Sequence, residues 1–282
     1  MSNLAGSVLV GGGSGFIGTA FSQLLRSKGY GVLIVSRMPG PQRISWTDLV
    51  ENGLPANTMA VVNLAGQNVL DPTRRWTPGF KQNVWNSRVN TTQSLAQAIL
   101  KAQNKPKVFV TISGVGIYQP SSTAEYNEDS QGKKFDFLSE LCYEWENVGK
   151  MPAHLGVRHV IIRSGVVLGK KGGMIRHLYL PFYLGLGGPV GKGDQKEDVR
   201  GVLNGVAPQI VTNKEFAKTF AKALWRPALI PIPEYALNLA FSEERAKMMT
   251  EGQKVVPKRT LAYGFQYKYP NIESACREIV KS

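Results

Sequence analysis

The chain has 282 residues, 43% of them hydrophobic and 19% charged, proportions that exclude a disordered or fibrous protein. That length buries a full core, and no apolar run is long enough for a membrane-spanning helix. The net charge of +14 is scattered in pairs (Arg74-Arg75, Lys133-Lys134, Lys170-Lys171, Lys258-Arg259) rather than set in a stripe with aromatics, which argues against nucleic acid as a partner. Cys142 and Cys276 form no CxxC, and His154, His159 and His177 have no metal-ligand spacing, so no metal site is expected. The start of the chain carries neither a signal-peptide pattern nor an Arg-rich presequence. The expected setting is soluble, reducing and intracellular, either cytoplasm or mitochondrial matrix.

In chain order, Ser7-Val8-Leu9-Val10 reads as a short strand ending in glycines. Ile17, Ala20, Phe21, Leu24 and Leu25 then recur at helical spacing, and Gly29 stands where a helix would be capped. Val32 to Val35 is a second strand, Ile44-Ser45-Trp46 a short third and Ala60 to Ala65 a fourth, closed by Gly66. A long helix is expected from about Phe80 to Ala102, followed by a fifth strand at Val108 to Ile112. Helix signals return from Ser139 to Val148, and Val160-Ile161-Ile162 gives a sixth strand. Apolar strands separated by helices predict a doubly wound parallel α/β sheet, the Rossmann arrangement, over residues 1–168.

Residues 169–282 read as a smaller α+β region on the substrate side. Gly169 to Gly193 reads as loop, helix and turn, and Asn213 with Glu215 opens a helix to Leu224. Ile230-Pro231-Ile232-Pro233 is followed by a helix to about Gly252 and by a strand in which Tyr263, Phe265, Tyr267 and Tyr269 alternate.

The chemistry is concentrated at the first strand–helix junction, Gly12-Gly13-Ser14-Gly15-Phe16-Ile17-Gly18. A glycine-rich turn directly after a strand and opening a helix is the dinucleotide fingerprint. Gly12 permits the tight turn, Gly15 lets backbone approach a pyrophosphate, and Gly18 lets helix and strand pack closely, while the helix N-terminus supplies N–H donors. At the end of the second strand stands Ser36-Arg37 where an NAD site wants a carboxylate. A guanidinium pairs with a 2′-phosphate that a carboxylate would repel, so NADP is the expected cofactor. Arg43 is a second candidate for that phosphate.

These residues resemble the extended branch of the short-chain dehydrogenase/reductase superfamily, and more narrowly an epimerase-like family whose bacterial members were once called cell-division inhibitors. The likeness runs through Val10 to Gly18, Val35-Ser36-Arg37, Val62-Asn63-Leu64-Ala65-Gly66, Arg75-Trp76 and Ser87-Arg88. It continues through Arg163 to Gly169, Leu186-Gly187-Gly188-Pro189, Asn204 with Ala207-Pro208, and Gly252 to Pro257. The resemblance implies that Leu64 and Ala65 line the adenine-ribose side of the cofactor. It further implies that Asn83 and Arg88 face the cofactor from the crossover helix and that Val167 lies near the nicotinamide.

Reductases of this superfamily carry a Tyr-x-x-x-Lys pair, whose lysine lowers the tyrosine pKa for proton transfer beside hydride transfer. Here the matching stretch is Phe137-Leu138-Ser139-Glu140-Leu141-Cys142, with neither group. The remaining catalytic candidates are Ser113, to hydrogen-bond a carbonyl, and Tyr118, an acid that without a nearby cation is a poor base. The family's Trp-Ile-His-x-x-Asp segment is also missing, since Gly191 to Arg200 runs straight into Gly201-Val202-Leu203-Asn204. Loss of one strand and one helix predicts weakened stability against a usual net of about 5–15 kcal/mol. The expected function is an NADP-dependent oxidoreductase or epimerase-like enzyme acting on a small molecule. The alternative is a non-catalytic NADP-binding sensor or assembly module.

Overall fold

Strand and helix alternate along the chain in a computed structural model that describes residues 6–38, 40–69, 71, 74–169, 199–226 and 243–281. β1 (Ser7–Gly11) runs into α1 (Phe16–Ser27), then β2 (Gly31–Val35), β3 (Arg43–Ile44), α2 (Trp46–Asn52) and β4 (Thr58–Asn63). α3 (Pro78–Asn86) and α4 (Val89–Lys101) lead to β5 (Val108–Gly114), β6 (Glu125–Tyr126), α5 (Phe137–Val148), β7 (Arg158–Ser164) and β8 (Leu168–Gly169). Beyond residue 198 come β9 (Gly201–Gly205), α6 (Asn213–Ala223), α7 (Glu243–Thr250), β10 (Lys254–Val255), α8 (Lys258–Ala262) and α9 (Ile272–Lys281).

Seven strands form one parallel sheet in the order β3-β2-β1-β4-β5-β7-β9. Successive side chains of β1 point to opposite faces, and each face has its own cover. Val8 and Val10 pack with Val32, Ile34, Phe21 and Leu25 on the α1 side. Leu9 packs with Leu49, Val61, Leu95 and Phe109 on the side of α2 and α4. Burial on both faces is why these strands are continuous apolar runs. The chain winds outward from β1 to β3 and resumes on the other side at β4, so the C-terminal ends of β1 and β4 border the crevice where open α/β sheets bind ligands.

Three sequence expectations are corrected. The long helix is broken into α3 and α4: Ser87 caps the first, Arg88 (φ −117°, ψ −61°) precedes the second, and the Ser87 hydroxyl donates to Val84 O while accepting from Gln67 N. A side-chain hydroxyl competing for backbone partners interrupts a helix with no glycine or proline to announce it. The short third strand ends at Ile44, and Ser45 instead opens α2 through a capping box with Asp48. The alternating aromatics form no strand. Tyr263 follows α8, Phe265 and Tyr267 meet edge to face at 4.9 Å, and the Tyr267 hydroxyl donates to Val206 O. The loop, helix and turn read from Lys170 to Gly193, the Ile230 to Pro233 segment and the Gly-Gly-Pro motif lie outside the described residues. Among the described residues no helix is long and apolar enough to cross a membrane.

Candidate functional site

The loop after β1 is held by contacts that leave no room for side chains. Gly12 has φ +71°, its N–H donates to Val35 O, and a Cβ there would sit 2.6 Å from Ala65 N. A Cβ on Gly18 would sit 2.3 Å from Gly12 O, so helix and turn meet at a distance only glycine allows. Gly15 is the N-cap of α1 and closes the turn by donating to Gly12 O at 3.0 Å. No side chain caps this helix, and its first turn has no acidic residue. Backbone donors and the positive dipole end therefore face the crevice, a fit for an anionic group. Ser14, Gly15, Phe16 and Ile17 are exposed around it, and Gly13 is buried against Ile34.

The facing wall is the end of β4. Asn63 is fully buried: its Oδ1 accepts from Ala65 N (3.1 Å), and its Nδ2 donates to Thr92 Oγ1 (2.7 Å). Thr92 Oγ1 also accepts from Trp145 Nε1 at 2.7 Å, tying β4, α4 and α5 together beneath Leu64 and Ala65. The motif containing Asn63 is visible in sequence, but its role is not, because Thr92 and, behind it, Trp145 come from helices distant in the chain. At the end of β2, Ser36 is buried and accepts from Met38 N, while Arg37 is exposed.

Arg88 projects from the α3–α4 break under Gly66, where a glycine Cβ would come within 3.1 Å of its Cζ. Its guanidinium lies 5.2 Å from the Trp145 ring centroid and reaches Val84 O (3.3 Å) and Ser87 Oγ (3.4 Å) through Nη1. Burial pushes its pKa down to about 10. This half-buried cation is paired with no carboxylate in the described region. Asn83 stands on the exposed side of α3, and Val167 is half-buried just after β7.

Beside Arg88, at the end of β5, Ser113 is 3% exposed, and its Oγ makes no hydrogen bond within ordinary limits. Its polar neighbour is the buried Cys142 thiol, a weak partner. Burial pushes that thiol up to about 11, opposed by Arg88 and by contacts with Gly114 and Ser113. Leu138 and Cys142, four residues apart on α5, pack toward Gly116 and Gly114 respectively, so the helix presents apolar groups to the end of β5.

Tyr118 departs from the expectation of an isolated phenol. It is 1% exposed, and its hydroxyl accepts from Arg163 Nη1 (2.9 Å) and faces Asn127 O and Asn204 Oδ1, both at 3.0 Å. A cation is thus present, supplied by β7 rather than by the helix. Arg163 is itself paired bidentately with Glu146 at 2.8 Å for each bond. Asn204 continues the cluster: its N–H donates to Glu128 Oε1 and its Nδ2 to Val256 O, while Glu128 Oε2 accepts from Arg259 N. These residues bind the segment after β5, α5, β7, β9 and the C-terminal region into one polar cluster. Sequence reading did not assign Arg163, Glu146, Glu128 or Asn204 a role, since spacing says nothing of partners tens of residues apart.

The profile of the NAD dependent epimerase/dehydratase family matches residues 8–179, and that of a domain of unknown function (DUF1731) matches residues 232–279. Epimerase family protein SDR39U1 of Homo sapiens is 51% identical over 292 positions, which take in 97% of this chain and 99% of the relative. Epimerase family protein YfhF of Bacillus subtilis is 31% identical over 97% of this chain and 98% of its own length. The crystal structure of human SDR39U1 (isoform2) with NADPH superposes with a TM-score of 0.91 at 50% identity, covering 98% of this chain and 99% of that one. The Bos taurus relative aligns over 293 positions, more than the 282 residues present here, so this chain lacks residues that its relative has.

Proposed function

The chain belongs to the NAD dependent epimerase/dehydratase family, and on that premise we propose that it binds NADPH and acts as an oxidoreductase or epimerase-like enzyme on a small molecule held over the ends of β4, β5 and β7. The observation that carries this reading is the N-terminus of α1, with no side-chain cap, behind a turn in which Gly12 and Gly18 cannot accept a Cβ. In this reading Gly12, Gly13, Ser14, Gly15, Phe16, Ile17 and Gly18 hold the diphosphate through backbone N–H groups. Ser36 and Arg37 face the 2′-phosphate, and Leu64 and Ala65 line the adenine-ribose side. Asn83 and Arg88 approach from the α3–α4 break, and Val167 borders the nicotinamide. Arg37 supports NADPH over NADH, as does the human relative crystallised with NADPH.

The bound coenzyme supplies a hydride, and the chain's own residues orient the reactants and exclude water. To Ser113, at the end of β5, we assign the hydrogen bond to a substrate carbonyl, a role supported by its hydroxyl having no other hydrogen-bond partner among the described residues. Tyr118 we assign a positioning role, because its hydroxyl is already engaged by Arg163 and by two acceptors.

A second reading, an NADPH-binding sensor or assembly module without turnover, is favoured by one observation. α5 offers Leu138 and Cys142 to the end of β5 where a proton-transferring pair would be needed. Titration with NADPH and NADH tests the shared part of both readings: NADPH binds more tightly and loses that advantage in Arg37→Ala. Equal binding of the two nucleotides, or none of either, overturns the cofactor assignment. Incubating C4-deuterated NADPH with a mixture of carbonyl metabolites then separates the readings, since stereospecific loss of the label marks an enzyme and retention marks a module.

A further inference from the structure

α6 is tied to the fold by one face only. Phe216 and Phe220 are buried with Cys276 and Ile279 of α9. The face turned away from them carries Lys214, Lys218 and Lys222, all exposed and four residues apart. Four residues advance a helix by about one turn, so the three lysines form a row roughly 12 Å long. Arg226, just beyond the helix, is exposed as well. Among the described residues no carboxylate pairs with any of these four cations. Glu215, the one acid on the helix, is committed to its capping box, where it accepts from the Thr212 N–H and hydroxyl at 2.7 Å each.

The helix ends in a conformation its sequence does not favour. Arg226 N donates to Ala221 O (2.9 Å) and Trp225 N to Lys222 O (3.1 Å), the Schellman pattern. The left-handed position of that pattern takes glycine by preference. At the end of α1 the same two bonds, Tyr30 N to Leu25 O and Gly29 N to Arg26 O, have Gly29 in it at φ +83°. At the end of α6 the position holds Trp225, at φ +56° and 92% exposed. The strain is not offset by burial of the indole, whose apolar area stays open to something outside the fold.

We propose that this face of α6 seats the protein on an anionic lipid surface, with Lys214, Lys218, Lys222 and Arg226 over the headgroups and the Trp225 indole among them. The proposal is independent of the nucleotide reading above. An indole has an apolar body and a single N–H, which suits the headgroup layer, and lysines gain attraction there without needing a fixed partner. A protein partner fits less well, because lysine is depleted from such interfaces. A nucleic acid also fits less well. One ring cannot stack successive bases, and the hollow beside the row, between α6 and α9, is lined by Glu215 and Glu273, which would repel a phosphate chain lying in it.

Co-sedimentation of the intact protein with vesicles of phosphatidylcholine alone, and of equal parts phosphatidylcholine and phosphatidylserine, tests this. Binding is expected to the mixed vesicles only, and it should fall as salt is added. Lys214→Gln, Lys218→Gln and Lys222→Gln should each weaken it about fivefold, and together about a hundredfold. Trp225→Gly relaxes the helix end, so it should raise the thermal midpoint while weakening vesicle binding, a pair of changes that general loosening of the fold would not give. Failure of the mixed vesicles to retain the intact protein overturns the proposal, as does retention unchanged by the triple lysine variant or by Trp225→Gly. Lysine-dependent binding of an oligonucleotide without vesicle binding assigns the row to nucleic acid and overturns it too.

Discussion

Replacing Tyr118 by Phe removes one oxygen from the buried cluster and leaves the ring, with its stacking on Tyr126 at 5.2 Å, in place. The hydroxyl has a single proton to share between Asn127 O and Asn204 Oδ1, and it accepts one hydrogen bond from the Arg163 guanidinium. A neutral hydrogen bond contributes about 1 kcal/mol net and one to a charged group about 1.5–3 kcal/mol. Arg163 keeps its bidentate bond to Glu146, so its charge is not orphaned, and the expected destabilisation is about 1–3 kcal/mol. For a chain of this size that lowers the melting midpoint by roughly 2–3 °C per kcal/mol. Urea and thermal unfolding of the two proteins measure this loss directly, and NADPH titration alongside should show an unchanged affinity. A Tyr118→Phe protein as stable as its parent to within about 0.5 kcal/mol, but deficient in hydride transfer, would refute the positioning role and restore the phenol as an acid.

Other perturbations separate structural from binding roles. Gly18→Ala places a methyl 2.3 Å from Gly12 O, and the resulting displacement of the turn should abolish NADPH binding in a titration. Arg88→Met removes a half-buried cation with no carboxylate partner among the described residues; chemical denaturation should show equal or greater stability while NADPH affinity falls. Burial lowers the His159 pKa to about 4, so between pH 6.5 and 4 the unfolded chain binds more protons than the native one. Stability should therefore fall as the pH drops through that window, by roughly 3 kcal/mol at most, and urea melts of His159→Gln should show a flatter slope. Inserting the segment that the family resemblance leads one to expect before Gly201 should raise the midpoint and cooperativity of a thermal melt, and an unchanged melt would contradict the stability argument.

The parallel sheet and the phosphate loop were legible without coordinates, because both are local. β1, β2, β4, β5 and β7 are apolar runs whose period and length identify buried strands. The glycines at 12, 15 and 18 must stand at fixed spacing for a turn to enter a helix. The position of Arg37 was legible for the same reason, two residues past the end of β2 and next to the buried Ser36.

What only the tertiary structure decided depends on partners far apart in the chain. The break at Ser87-Arg88 arises from a loop amide, that of Gln67, bonding a helix hydroxyl, and no propensity marks it. The cation facing Tyr118 comes from β7, which reaches it only because β5 and β7 are neighbours in the sheet. The four aromatics from Tyr263 alternate as a strand would, yet they form none, and the Tyr267 hydroxyl donates to Val206 O instead. Periodicity fixes which face of an element is buried; which side chain waits on that face is set by strand order and helix docking.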